Sequence, residues 1–210
     1  MSTTNPAGND RVVPLTLSHL KQAAAVLGRA FFADPLWQYL LPDDTRRAAL
    51  LPSCFRLFVR YSLRYGECYT TTNLSAVACW LSPGNTTPTP GRLLLVAIHG
   101  APLNFGWSAL QRNNRVASYT EALHKQYAPD PHWYLWGLGV DPAYQGQGLG
   151  SMLIQAGLAR ADTRHYPCYL ETMNERNVPF YQKHGFQVMS EGKAPGTELR
   201  IWSMLRKPQG

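Results

Sequence analysis

The segment from Leu138 to Ser151 restricts the fold more than any other part of the sequence. It reads Leu-Gly-Val-Asp-Pro-Ala-Tyr-Gln-Gly-Gln-Gly-Leu-Gly-Ser, between an apolar, aromatic stretch and a helical pattern of apolar residues. This order predicts a strand, a tight turn and a helix. Glycines let the backbone approach a ligand closely, and the first N–H groups of a helix have no partner inside it. We therefore expect the turn to bind an anion such as a pyrophosphate.

The glycine spacing by itself does not identify the ligand. Gly146, Gly148 and Gly150 do not give the G-x-G-x-x-G pattern of dinucleotide-binding folds. No Lys-Ser/Thr pair follows them to form a Walker A loop. On spacing alone, a tight turn that binds no ligand stays an open alternative.

The residues around the glycines resemble a known motif. Val140-Asp-Pro and then Gln145-Gly-Gln-Gly-Leu-Gly resemble motif A of the GNAT N-acetyltransferase family, whose core pattern is Gln/Arg-x-x-Gly-x-Gly/Ala. Gln145, Gly148 and Gly150 occupy the three defining positions of that pattern. The motif has the strand-turn-helix context predicted above.

A second motif of the same family follows in the expected order. The run from Asn177 to Phe186 contains an Asn, an aromatic-Tyr pair at Phe180 and Tyr181, and a final Gly-Phe, which resembles motif B. The likeness extends over about 133–188. Shorter phrases at 30–35, 77–80 and 170–172 resemble the branch of the family that contains puromycin N-acetyltransferase.

The pattern of elements and the resemblance agree on the fold class. Strands and helices alternate along the whole chain, which favours a single α/β or α+β domain. We predict strands at 11–15, 67–72, 76–81, 132–140, 167–172, 186–189 and 199–205. We predict helices at 18–32 with Ser18 as N-cap, 45–65, 148–163 and 178–184, with a mostly helical insertion over 92–127 that is broken near 100–106. The resemblance implies a GNAT-type domain over 11–207 after a flexible N-terminus (1–10), with a mixed, largely antiparallel sheet of about seven strands and one splayed parallel pair, flanked by helices.

The resemblance implies that acetyl-CoA is the cosubstrate and that it lies between the two splayed strands. Backbone groups of Leu138, Gly139 and Val140 would then bind the pantetheine arm, and an N–H near Val140 would be the oxyanion donor. The pyrophosphate would lie against backbone N–H groups of the turn, namely Gln145, Gly146, Gln147, Gly148, Leu149, Gly150 and Ser151. Asn177 would steady the cofactor arm, and its position also predicts a helix N-cap, a role that is compatible with the first. Lys183 either contacts a CoA phosphate or is a solvated surface residue.

Tyr181 and Glu171 are the candidate catalytic residues. Tyr181 matches the general-acid tyrosine of the family, and a phenol can protonate a departing thiolate at modest cost. Its alternative role is packing, or a hydrogen bond to the sulfur without proton transfer. The stretch 132–140 lacks the Glu that some relatives use as a base, so Glu171 is the best-placed carboxylate, although a structural role at the strand end is an equal alternative. His132 is a third candidate base.

The acceptor side is predicted to be aromatic. In this fold the acceptor enters over the first helices and neighbouring strands, which here carry the candidate contacts Phe31, Phe32, Asp34, Trp37 and Trp80. Such a density of aromatic rings favours a small, apolar or aromatic acceptor, although many of these rings are expected in the core. Asp34 would either hold the amine or form the turn before Pro35. The insertion would roof the pocket or make a homodimer contact.

Composition excludes several classes of protein. The chain has 20 basic and 13 acidic residues, a net charge of +7, which favours phosphate-bearing partners. No DNA- or RNA-binding signature accompanies the charge, so we expect no nucleic-acid partner. The four cysteines are dispersed, which argues against disulfides and a metal site. The longest apolar run is too short to span a bilayer and residues 1–10 lack a signal-peptide core, so we expect a cytoplasmic protein without a membrane partner.

Together these observations predict transfer of an acetyl group from acetyl-CoA to the primary amine of a small molecule. The transfer would be a direct attack on the thioester. The alternative is a CoA-binding regulatory module that has lost catalysis, which the missing Glu in 132–140 keeps open.

Overall fold

The computed structural model describes residues 10–97 and 105–209. The strands are β1 (Val12–Pro14), β2 (Gly66–Thr71), β3 (Ala76–Leu81), β4 (Trp133–Val140), β5 (Cys168–Thr172), β6 (Gln187–Lys193) and β7 (Arg200–Arg206). The helices are α1 (Leu20–Ala30), α2 (Pro35–Leu40), α3 (Asp44–Tyr65), α4 (Pro90–Ala97), α5 (Trp107–Tyr127), α6 (Leu149–Thr163) and α7 (Val178–Lys183). The flexible N-terminus that we predicted over 1–10 lies almost wholly outside the described residues, as does most of the break near 100–106.

All seven strands form one sheet, in the order β1-β2-β3-β4-β5-β7-β6. Neighbouring strands are antiparallel except for β4 and β5, which are parallel. The predicted seven-stranded, largely antiparallel sheet with one parallel pair is therefore confirmed.

Both faces of the sheet are covered by helices. α6 packs on one face, in a core that includes Leu153, Leu170 and Met204. α1 and α3 pack on the other face, where Leu27 and Val59 belong to a second core. α5 lies beside this second layer and packs its apolar side against β7. The candidate site lies between these helices, at the C-terminal end of the β4–β5 pair.

Three predicted boundaries were wrong for local reasons. The helix predicted from Ser18 begins as a 3-10 turn after Thr16, and α1 itself starts at Leu20. The first helix was predicted to run to 32 and to be broken by Asp34 and Pro35, but α1 ends at Ala30, and these two residues begin another helix: Asp34 caps α2 and Pro35 occupies its first turn. β6 is longer than predicted because it pairs with β7 through Lys193.

The described part of the chain has no helix that is both long and apolar enough to cross a membrane. All four cysteines are free thiols.

Candidate active site

The site lies where β4 and β5 separate. Their parallel pairing comprises only Trp133 opposite Cys168 and Tyr134 opposite Tyr169. Both strands are fully described, and from Leu135 onward β4 has no partner on its β5 side. β5 instead continues to pair with β7. The backbone of the second half of β4 is thus open to a ligand on one edge, as the predicted splay requires.

A β-bulge in β4 sets the direction of the side chains beside this gap. Cys79 of β3 pairs with Gly137 and Trp80 pairs with Leu135, so Trp136 is an extra residue. After the bulge, Leu138 packs towards the core under α6. Gly139 faces α1 instead, where a Cβ would lie 2.8 Å from a methyl group of Leu27. Glycine at this position therefore lets α1 approach the strand.

The turn after β4 has the geometry of an anion site. Gly146 and Gly148 have φ of +77° and +82°, a region that glycine adopts readily. A Cβ at either position would meet nothing within 4 Å, so the turn presents open space. Gly148 is the N-cap of α6 and provides no side-chain cap, which leaves the first N–H groups of this helix available. The buried Oε1 atom of Gln147 also has no hydrogen-bond partner among the described residues.

Two contacts hold this turn in place. Arg29, near the end of α1, donates from Nε and Nη2 to Oδ2 of Asp141, at 2.9 and 2.5 Å. The side chain of Gln145 donates to the carbonyl oxygen of Val140 at 3.1 Å. The turn is therefore linked both to α1 and to the end of its own strand.

The side chain of His184 reaches the same helix end. Its Nε2 atom lies 3.0 Å from Oγ of Ser151, in the first turn of α6. Burial and the charges of Lys183 and Arg206 lower the pKa of His184. Sequence reasoning missed this contact, because nothing local connects two residues that belong to different helices.

Tyr181 is buried beside the gap. Its side chain is 8% exposed, and its hydroxyl forms no hydrogen bond with any described residue. Burial raises the pKa of Tyr181 well above its usual value, and the carboxylate of Asp34 raises it further. The phenol therefore holds its proton at neutral pH, as a general acid must before it donates.

Glu171 lies on the opposite face of β5 from the α6 core. Its Oε2 atom accepts a hydrogen bond of 2.6 Å from the hydroxyl of Tyr134. Its Oε1 atom is buried and has no partner in the described part of the chain. Burial raises the pKa of Glu171 to about 7, although the hydroxyls of Tyr134 and Tyr169 oppose that shift. A carboxyl group with this pKa exchanges a proton readily near neutral pH.

Asp34 lies at the start of α2, in the turn before Pro35, and its predicted contact with the amine stays a prediction. Its Oδ1 accepts from the backbone N–H of Leu36 at 2.9 Å, so it caps the helix. Burial raises the pKa of Asp34 to about 6, because the backbone hydrogen bonds compensate only in part for lost solvation. Its effect on the pKa of Tyr181 places its charge close enough to act on the site.

Aromatic rings line the side of the sheet that carries Glu171. Phe58 stacks on Trp136 with ring centres 4.1 Å apart. Phe31 and Trp37 both pack against Phe55, at 5.1 and 5.2 Å. Of the predicted acceptor residues, Phe31 and Trp37 thus join this aromatic layer. It extends from the end of α1 to the bulge of β4.

Two other predicted acceptor residues have packing roles. Trp80 is 1% exposed and lies in the core under α6, where a Cβ at Gly157 would come within 2.3 Å of its indole. The structure therefore does not place Trp80 on the acceptor side, and that prediction was wrong because alternation along β3 turns it to the other face. The ring of Phe32 lies under the guanidinium of Arg47, at 4.5 Å.

Asn177, Lys183 and His132 are three further residues with predicted roles. The cap of the turn before α7 is Asn174, which accepts from the N–H of Arg176; Asn177 forms no side-chain cap, so its predicted capping role was wrong. The side chain of Asn177 remains available for a ligand. Lys183 is exposed in the last turn of α7. His132 precedes β4, at the far end of the strand from the gap, so the structure does not support it as a base.

The residues at the gap fit an acyl-CoA. The open edge of β4 matches an amide-containing arm, and the uncapped helix end with its unhindered glycines matches a pyrophosphate. No group of three or more His, Cys, Asp or Glu side chains that could hold a metal ion occurs within 10–97 and 105–209.

Two curated proteins are similar to this chain in sequence. An uncharacterised N-acetyltransferase of Schizosaccharomyces pombe is 26% identical over 172 residues, which cover 79% of this chain and 70% of that protein. A probable serine/threonine-protein kinase of Dictyostelium discoideum is 25% identical over 191 residues, 83% of this chain. The match spans only 20% of that longer protein.

Solved structures have the same fold. A histone acetyltransferase HPA2 and related acetyltransferase from Corynebacterium glutamicum superimposes with a TM-score of 0.66 at 22% identity, covering 96% of this chain and 97% of the other. Arylalkylamine N-acetyltransferase 2 of Aedes aegypti gives a TM-score of 0.62 at 15% identity, covering 96% and 100%. The family model described as the Acetyltransferase (GNAT) family matches residues 68–186. This match includes β4, the glycine turn, Glu171 and Tyr181, and the chain belongs to the GNAT acetyltransferase family.

Proposed function

We propose that the protein transfers an acetyl group from acetyl-CoA to the primary amine of a small molecule. The observation that carries this proposal is the position of two proton-transfer groups on the two faces of the splayed strands. Glu171 lies on the side of α1 and α5, and Tyr181 lies on the side of α6. Acetyl-CoA, when bound, supplies the acetyl group as a thioester.

Glu171 would accept the proton of the incoming amine, directly or through water. Amines are mostly protonated at neutral pH, so attack requires a base near the acceptor. The unpartnered Oε1 atom supports this role, because a carboxyl oxygen that is buried without a partner is costly unless a substrate or water completes its contacts. The pKa near 7 supports it as well, since it lies close to working pH.

Tyr181 would protonate the departing thiolate. Its hydroxyl has no partner among the described residues, and its raised pKa keeps it protonated at neutral pH, so that a proton is present when the thiolate forms beside it. A backbone N–H near Val140 would donate to the carbonyl oxygen as negative charge develops there. Glu171 would thus remove a proton from the amine, and Tyr181 would supply a proton to the leaving thiolate.

The aromatic layer and the position of α5 support a small acceptor. α5 packs against α2 and β7, with Tyr39, Tyr119 and Tyr127 in the contact. This arrangement supports a roof over the acceptor side, which leaves less room for a protein tail than an open groove does. The Aedes aegypti structure, whose name describes an arylalkylamine acceptor, fits the same type of substrate.

One assay tests the proposal. Thiol release from acetyl-CoA is measured with a panel of aliphatic and aromatic primary amines, alongside calorimetric binding of CoA. Turnover with at least one small amine is the expected result. Binding of CoA without turnover on any amine would support the inactive CoA-binding module instead. Absence of CoA binding would contradict both the acetyltransferase and the CoA-binding module.

Three further predictions accompany this proposal. Puromycin belongs in the amine panel, because the likeness of three short phrases to the puromycin N-acetyltransferase branch stays a prediction. We also propose a cytoplasmic location, which suits four free thiols; cell fractionation tests it. A homodimer stays a prediction that sedimentation velocity tests.

A further inference from the structure

Two buried histidines meet behind the carboxyl group of Glu171. Nε2 of His124, on α5, lies 2.6 Å from Nε2 of His132, which immediately precedes β4. Nδ1 of His132 lies 2.7 Å from the carbonyl oxygen of Asp130. Because a carbonyl only accepts, Nδ1 of His132 must carry a proton. In the neutral ring Nε2 of His132 is then the acceptor, and His124 donates to it.

This arrangement requires the ring of His132 to be neutral, and burial favours the neutral form of both rings. Burial lowers the pKa of His124 to about 3, and the neighbouring His132 lowers it further in the same direction. Burial also lowers the pKa of His132. The charged groups that line the same cavity are Glu121 and Lys125 of α5, which pair with each other at 2.6 Å, and Asp130 in the segment before β4. A neutral, hydrogen-bonded pair therefore fixes the ring of His124 in one orientation.

The ring of His124 is packed on both tyrosines that neighbour Glu171. It stacks on Tyr169 with ring centres 4.5 Å apart and an interplanar angle of 22°. It meets Tyr134 edge to face at 4.6 Å. Tyr134 in turn donates to Glu171 at 2.6 Å, and the buried hydroxyl of Tyr169 also lowers the pKa of Glu171.

The histidine pair also lies between Glu171 and solvent. His124 and His132 line a surface cavity of about 460 Å³ between α5 and the loop after β3. Behind them are Tyr134 and Tyr169 and then the carboxyl group. Tyr127 of α5 also lies near Tyr169 and contributes to the raised pKa of that residue. Removing the ring of His124 would open a route for water from the cavity towards Glu171.

We propose that His124 and His132 are positioning residues for Glu171, acting through Tyr134 and Tyr169. They hold the two tyrosines against the carboxyl group and keep water from its inner side. The proposal rests on the proposed function, in which Glu171 is the base. It also gives the α5 insertion a role in the reaction, since His124 belongs to that insertion.

Titration of the Glu171 carboxyl group by ¹³C NMR tests the proposal without needing turnover. The resonance is assigned by its loss in Glu171→Gln. His124→Ala is expected to lower the titration midpoint by about one pH unit, because water then solvates the carboxylate. His124→Phe keeps a ring on Tyr169 but loses the hydrogen bond to His132, and is expected to give a smaller shift in the same direction. Lys125→Ala, from the same cavity wall, is the matched control and should change nothing.

Kinetics provide the second readout. In His124→Ala the acid limb of the kcat profile should move with the NMR midpoint and kcat should fall about tenfold, while the KM for acetyl-CoA stays within about twofold. An unchanged midpoint and limb in folded His124→Ala, or in His124→Phe if the alanine variant does not fold, would overturn the proposal. Absence of turnover in the wild-type protein would instead refute the proposed function, and the NMR titration would still decide on the histidines.

Discussion

The hydroxyl of Tyr134 donates to Oε2 of Glu171 at 2.6 Å, while Oε1 of the same carboxyl group has no partner among the described residues. One oxygen is thus fixed by the protein and the other is left for a substrate or a water molecule. Tyr134 belongs to the last paired residues of β4 and β5, and Glu171 lies two residues beyond that pairing on β5. The site is therefore built from the same two strands whose separation creates the gap.

Replacing Glu171 by Gln should reduce turnover about 100-fold or more, because the amide cannot accept the amine proton. In the wild-type protein the pKa of Glu171 lies at about 7, so kcat/KM should rise with pH through this value. Measured profiles should lose this limb in the variant. Full activity of a folded Glu171→Gln protein across the same range would remove Glu171 as the base.

Tyr181→Phe should lower kcat at least about tenfold with little change in affinity for acetyl-CoA, because only the proton donor is lost. Steady-state kinetics and calorimetric CoA binding measure the two quantities. Tyr166→Phe is a suitable control, since Tyr166 packs against the same core away from the gap. Unchanged kcat in Tyr181→Phe would leave the tyrosine with a packing role alone.

Asp34→Asn should move the alkaline limb of kcat to lower pH. The negative charge of Asp34 raises the pKa of Tyr181, so removing the charge lowers that pKa and the acid is lost earlier as pH increases. Asn is also a good N-cap, so α2 should keep its start. An alkaline limb that stays in place would show that this charge does not act on the acid.

Gly148→Ala should weaken acetyl-CoA binding more than it weakens the fold. A residue with a Cβ at φ of +82° costs about 1 kcal/mol, and the new methyl group would occupy the open space above the turn. We expect the KM for acetyl-CoA to rise about tenfold or more, since the backbone can no longer approach a phosphate closely.

Gly84→Ala is the matched control for this strain. Gly84 has φ of +81°, and a Cβ there also meets nothing within 4 Å. Both variants should lose similar stability in thermal unfolding, and only Gly148→Ala should change the KM. Equal KM values in the two variants would contradict an anion site at the turn.

The histidine pair should make the fold sensitive to acid. The pKa of His124 is about 3 in the folded chain, against an ordinary value of 6.5. Below pH 6.5 the unfolded chain therefore binds a proton that the folded chain does not, and the free energy of unfolding falls as pH decreases towards 3. Denaturant unfolding at several pH values should show a flatter acid dependence for His124→Phe than for the wild-type protein. Parallel curves would mean that His124 titrates normally in the fold.

Local pattern was enough to predict the elements of the half of the site that we propose binds the cofactor. The glycine turn, the strands on either side of it and the helix with Tyr181 all follow from residues close together in the sequence. The predicted ends of β3 agree with the structure, and those of β4, β5 and α6 differ by one residue. Glu171 could be placed at the gap because it ends a short strand with a clear apolar pattern.

The acceptor half depends on contacts that local pattern does not encode. Asp34 and Pro35 give the same signal whether a helix stops or a new one starts, so α2 was not predicted. The direction of Trp80 depends on which face of β3 packs under α6. His124 and His132 come together only when α5 packs beside β4, and neither residue has a neighbour in sequence that signals the other.

The cofactor half of the molecule is a continuous run of chain from β4 to α7, whereas the acceptor half is assembled from α1 to α3 and the separate α5 segment. The helical insertion that contains α5 can therefore be exchanged as a unit. If the protein has the proposed function, grafting residues 90–127 from another family member is expected to change which amine is accepted and to leave the glycine turn and Tyr181 unchanged. Under the same proposal, selection for a new acceptor can act on that segment alone, with one restriction: a replacement for His124 must still support the tyrosines behind Glu171.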